Sequence, residues 1–222
     1  MNNPFPEIEE FINNFNKIAL EAQSNAVYVR AQEIQQEHID ILEDFLKKIL
    51  AEKEKAAQKS ENKKANLILC LELTAKALIN ELRLIINLKD DSPDLAWQAL
   101  IDAQSQISSA MRNHPFNGDY LEGYAARLYG YEKLLFPKML FASRGCTVAN
   151  SKCSICQRKI ENCDHIPGYA YMGEICYEII EKIVSIDEVS IVPNPADKSC
   201  RIISFQKDGK NLDTFTHREI QK

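Results

Sequence analysis

The chain has 222 residues, of which 45% are hydrophobic and 27% charged, with a formal net charge of −5. This balance is ordinary for a globular protein of one large or two modest domains, and it disfavours a general nucleic-acid binder, which would carry a basic footprint, while leaving room for a local basic patch. Only 7 glycines argue against a sheet-rich fold full of tight turns and favour long helices.

The N-terminus, Met1-Asn2-Asn3-Pro4, has no basic segment leading into an apolar core, so no signal peptide is expected. No apolar run approaches the roughly 18 residues that span a bilayer, so no membrane partner is expected. A cytoplasmic location follows as the expectation. In such a compartment 7 cysteines point to metal or thiol chemistry rather than to disulfides.

From residue 5 to about residue 57 the pattern predicts one long helix. Ile8, Ile12, Phe15, Ala19, Ala22, Ala26 and Val29 fall at alternating spacings of four and three, and the stripe resumes at Ile34, His38, Ile41, Phe45 and Ile49. A seam of that length resembles a coiled coil and offers a surface to a protein partner or a second copy of the chain. Lysines are concentrated between Lys47 and Lys64, and the last part of that segment, Ala56 to Lys64, reads as a solvated helix end and the turn between antiparallel helices.

A second helix is predicted from about Ala65 to Leu88, apolar enough to sit centrally. Asp90-Asp91-Ser92-Pro93-Asp94 marks a boundary, with Ser92 placed to cap a third helix and Pro93 in its first turn. That helix runs to about Asn113. After the His114–Gly118 turn, Asp119 and Glu122 look like a capping box opening a fourth helix, which Pro137 should end. Tyr120, Tyr124, Tyr129 and Tyr131 on this helix read as packing residues. The expectation is an antiparallel helical bundle over residues 1–143.

The remainder, 144–222, reads as a small α+β domain. Helical spacing is seen at Ile175, Ile179 and Ile183, and β-like runs at Glu188 to Val192 and Arg201 to Gln206, with turns at Asn194-Pro195 and Asp208-Gly209. This part carries the chemistry. Cys153-Ser-Ile-Cys156 is a Cys-x-x-Cys knuckle that lets two thiolates reach one ion, and Zn2+ then needs two more N or S ligands. Cys163, His165 and Cys176 are the candidates. In an extended segment Cys163 and His165 point the same way. A treble-clef arrangement would instead bring in Cys176 from a helix N-terminus. Spacing alone leaves the choice open. Ligands sufficient to fill all four positions favour a closed, structural zinc over a catalytic one. The short domain would then depend on the metal to fold.

Two resemblances arise from the same residues. Asp164-His165-Ile166-Pro167 following a Cys-x-x-Cys resembles the Asp-His-Ile-x-Pro core of H-N-H endonucleases. That likeness implies His165 activating water beside a divalent metal. The run Glu188-Val-Ser-Ile-Val-Pro-Asn-Pro-Ala196 is similar to a strand-and-turn motif of phage prohead maturation proteases. It implies a phage-related or mobile-element context. Those proteases use a Ser/His site, but Ser190 falls inside the shared strand, where a structural role is expected.

The reading as a whole is a mainly α protein with no catalytic residues assigned. It pairs a helical bundle and a zinc-stabilised α+β domain. Its expected role is protein–protein interaction or assembly through the N-terminal helices, with a metal-dependent nuclease as the alternative.

Overall fold

The structure, a computed structural model, describes residues 4–27 and 29–220. The described residues form two compact units. One runs to Tyr129 and takes in Ile166–Cys176; the other joins Gly130–His165 to the segment from Tyr177 onward. The boundary at 143/144 expected from sequence falls inside the first strand, Phe141–Cys153.

The first unit is helical. The predicted single N-terminal helix is instead two, α1 (Glu9–Ala26) and α2 (Gln32–Gln58). The physical reason lies in the apolar stripe. Its step from Val29 to Ile34 is five residues, which on a continuous helix turns the second half well away from the first. The chain breaks there and α1 folds back on α2. Phe11 and Phe15 stack on Phe45 at 4.9 and 6.0 Å between centroids, while Asn25 near the end of α1 meets His38 near the start of α2. The pair is therefore antiparallel, and the long coiled-coil-like helix is corrected to a helical hairpin.

The break is held by specific bonds. Carbonyls at a helix C-terminus lose their intrahelical donors and need replacements. The buried Gln35 amide donates to Ala26 O and to Val29 O. The Lys89 ammonium donates to Val29 O at 3.0 Å, Arg30 O at 3.2 Å and Gln35 Oε1 at 2.7 Å. The buried face of α2 is correspondingly Gln35, Ile39, Leu42, Phe45, Ile49, Lys53 and Ala56. Ile34 and Ile41, expected on the seam, are each 39% exposed.

The central helix α3 (Asn62–Lys89) packs between α2 and α4 (Pro93–Asn113), as its all-round apolar surface predicts. Pro93 opens α4 as expected, but Ser92 makes no side-chain capping bond. Asp119–Leu121 forms a short 3-10 turn, with Gly118 at its N-cap position, before α5 (Glu122–Leu135). Of the tyrosines, Tyr124 is buried while Tyr120 and Tyr129 are exposed.

Strands occupy the rest: β1 (Phe141–Cys153), β2 (Ala170–Tyr171), β3 (Glu174–Ile175), β4 (Glu178–Val192), β5 (Ser204–Lys207) and β6 (Lys210–Asp213). β1 pairs antiparallel with β4 along a ladder whose register shifts repeatedly between Gly145 and Ser151. β5 and β6 form a hairpin around Asp208-Gly209, both at positive φ, the turn its sequence announces.

The helix expected over Ile175 to Val184 does not form; the segment runs from the end of β3 into the first half of β4. The every-fourth spacing of Ile175, Ile179 and Ile183 competed with a run dense in β-branched residues, including Ile180, Val184 and Ile186, and β-propensity prevailed.

Candidate metal centre

The site is built within the second unit by the end of β1 and the loop that follows it. Cys153 is the last residue of β1 and is fully buried. The chain then turns back sharply. Gln157 takes a positive φ of 60°, its N–H donates to Cys153 O at 2.9 Å, and the N–H of Cys153 donates to Arg158 O at 2.9 Å. This tight knuckle brings Cys156 back beside Cys153. Ser154, inside the knuckle, donates its N–H to Tyr177 O and accepts the N–H of Tyr177 on its hydroxyl, tying the knuckle to the start of the β4 arm.

A single 3-10 turn, Ile160–Asn162, then lifts Cys163 into place, with the N–H of Cys163 donating to Ile160 O. Cys163 itself is extended, with φ −130° and ψ 134°. In such backbone, residues two apart face the same side, so His165 joins Cys163 as the alternation predicts.

One ligand atom from each of Cys153, Cys156, Cys163 and His165 lies within 4.8 Å of the others. Cys156 Sγ is 3.4 Å from Cys163 Sγ, and His165 Nδ1 is 3.3 Å from Cys163 Sγ and 3.7 Å from Cys153 Sγ. These spacings are far beyond a disulfide bond of about 2.05 Å. They approach the edge of roughly 3.8 Å expected between sulfurs each about 2.3 Å from a tetrahedral ion. The group can hold a metal ion.

The electrostatics fit a cation. Cys156 is drawn down to about 6, first by the N–H of Arg158, with the Arg158 guanidinium, Cys163 and His165 adding to the effect. His165 is raised, chiefly by its hydrogen bond with Cys156. Burial pushes Cys163 up to about 11. A metal cation binding here would displace the protons that these donors hold. Backbone amides already point at the sulfurs: Ile155 N–H donates to Cys153 Sγ at 3.3 Å and His165 N–H to Cys163 Sγ at 3.2 Å. Such bonds orient thiolate ligands.

Cys176 is not in this group. It is fully buried in the first unit, closing the hairpin of β2 and β3, where its N–H donates to Tyr169 O at 2.8 Å. The helix N-terminus from which a treble clef would present it does not exist, because Gly173 at φ 80° makes a hairpin turn. Cys146 is exposed on β1, Cys70 is buried in α3 with its thiol pushed up to about 12 by desolvation, and Cys200 lies beside Asp197. Ser190 sits opposite Ser143 in the β1–β4 ladder. His38 meets Asn25, and His114 Nδ1 accepts the N–H groups of Phe116 and Asn117, so both act structurally.

No family model, curated protein or solved structure matches the chain. No helix among the described residues is long and apolar enough to cross a membrane.

Proposed function

We propose that Cys153, Cys156, Cys163 and His165 hold Zn2+ as a closed structural site, in a non-enzymatic protein that acts in protein–protein interaction or assembly. The observation that carries this is the convergence of three thiol sulfurs and one imidazole nitrogen within 4.8 Å. Four such donors fill a tetrahedron and leave no position for water or substrate. Soft sulfur donors also select zinc over magnesium or calcium.

The nuclease alternative needs His165 free to activate water. Its Nδ1 faces two cysteine sulfurs instead, which favours the role of ligand. The interaction role draws support from exposed apolar side chains. On the N-terminal helices Leu20 is 66% exposed, with Ile34, Ile41 and Leu50 also open. On β4, Ile180, Ile183, Val184, Ile186, Val189 and Ile191 are all exposed. Exposed apolar side chains that gather into a patch mark interaction sites, and each of these elements offers candidates. A phage-related or mobile-element context belongs to the proposal on the Glu188–Ala196 run alone.

Elemental analysis of the purified protein should find one zinc per chain, and incubation with DNA or RNA in magnesium or manganese should leave the nucleic acid intact. Cleavage that His165→Ala abolishes while zinc is retained would overturn the structural reading. Light scattering across a concentration series tests association, and a strict monomer at high concentration, with no partner captured on the exposed helix face, would count against the interaction role.

A further inference from the structure

We infer that metal occupancy at the Cys3His site is coupled to the helical unit through the hairpin Ile166–Cys176, an inference that rests on the metal-binding reading above. The hairpin is minimal. β2 and β3 contribute two residue pairs, Ala170 with Ile175 and Tyr171 with Glu174, too few to stand alone. Beyond the backbone bonds that join Gly168 and Tyr169 to Cys176, its conformation is held by side chains of the helices it lies on.

Three asparagines grip its backbone. Asn62 Oδ1 accepts the N–H of Met172 at 2.8 Å. Asn66 Oδ1 accepts the N–H of Gly173 at 2.8 Å, while its Nδ2 donates to Ala170 O at 3.1 Å. Asn113 Oδ1 accepts the N–H of Ala170 at 2.7 Å, while its Nδ2 donates to Gly168 O at 3.1 Å. A carboxamide carries both a donor and an acceptor, so Asn66 and Asn113 each read a backbone donor and a backbone acceptor at once. Lys53, already paired with buried Glu72 at 2.7 Å, reaches Glu174 at 2.9 Å. The approach is close. A Cβ on Gly173 would stand 2.9 Å from Lys53 Cγ and 3.2 Å from Ala65 O.

Both ends of this hairpin continue directly into the metal site's own residues. Ile166 follows the ligand His165. Cys176 precedes Tyr177, whose N–H and C=O are both bonded to Ser154 between Cys153 and Cys156. An ion that fixes His165 and the knuckle therefore fixes both ends of the hairpin. Docking onto the asparagines then no longer carries the loop-closure cost of gathering those ends. The coupling is reciprocal: whatever factor the ion adds to docking, docking adds to ion affinity. Asn66 and Asn113 touch no ligand atom, yet they tune how tightly the ion is held.

The test uses the full chain. Zinc affinity is measured by competition with a chromophoric chelator for the parent protein, Asn66→Ala and Asn113→Ala. Each variant loses its paired backbone bonds and should bind zinc on the order of five- to fifty-fold more weakly. Because either variant can fold poorly, the parent protein supplies a second readout. Hydrogen exchange at the amides of Ala170, Met172 and Gly173 should accelerate about tenfold or more when zinc is chelated. Unchanged affinity in both folded variants, or unchanged exchange at those amides, overturns the coupling while leaving the metal centre standing. A parent protein that takes up no zinc overturns both.

Discussion

Glu81 is 1% exposed in the middle of α3, with the Arg127 guanidinium 2.8 Å away. A buried carboxylate is stable only while its charge is compensated, so Arg127→Ala should destabilise the helical unit by on the order of 3 kcal/mol, read as a shift of the urea midpoint. Glu72 gives a prediction in pH. Burial, the largest influence on its carboxyl, pushes the pKa up, but hydrogen bonds from Lys53 and Lys76 prevail and hold it below the usual glutamate value. A group depressed in the folded state adds stability above its unfolded value and loses it as pH falls through the folded value. Denaturant titrations should therefore show stability falling on acidification through the carboxylate range, with a shallower fall in Glu72→Gln. Neither buried carboxylate was legible in the sequence, where Glu72 and Glu81 look like ordinary polar positions of an amphipathic helix. Cys153 and Cys156 were legible as a candidate pair, with Cys163, His165 and Cys176 as candidates to join them, because metal chemistry demands particular residue types at short spacing; that Cys163 and His165 are the two that converge on the pair was not. Cys176 was the exception: its type matched, but its backbone closes a hairpin instead of opening a helix.

Elements were readable where independent signals agreed. α3 and α4 were predicted closely because periodicity, Pro93 and the polar Asp90–Asp94 boundary agreed. The α1–α2 break was missed because it has no Gly or Pro. Its cause is a phase slip in the stripe, and its stabilisation comes from Gln35 and from Lys89, distant in sequence. Gln35→Ala should therefore cost about 2 kcal/mol, from two lost carbonyl partners and a Lys89 contact, as measured by chemical denaturation. A cost below a few tenths of a kcal/mol would show that the turn holds without it. The β4 error has the opposite origin. There a helical spacing overlapped a run dense in β-branched residues, and the segment follows the latter and pairs with β1. The β2–β3 turn is a third case, since Gly173 at φ 80° turns a hairpin just before the segment whose spacing predicts a helix from Ile175. Gly173→Ala should destabilise by on the order of 1–2 kcal/mol, because a Cβ is disfavoured at that φ and also meets Lys53.

Across the whole molecule the two units differ in how they are stabilised. The helical unit buries long aliphatic rows on α2, α3 and α4 and should stay folded without metal. The other unit carries much of its apolar surface outside, on β4, and holds the four-residue cluster at the end of its long β1–β4 ladder. Chelation should therefore make the segment from Gly130 to His165 and beyond Tyr177 sensitive to protease while helical circular dichroism is largely retained. The most direct measurement is X-ray absorption at the zinc edge of the purified full-length chain. Three sulfurs at about 2.3 Å and one nitrogen at about 2.0 Å around each ion are the predicted result. A chain that holds no transition metal, or an ion coordinated by four sulfurs or by oxygens, would contradict the assignment of Cys153, Cys156, Cys163 and His165.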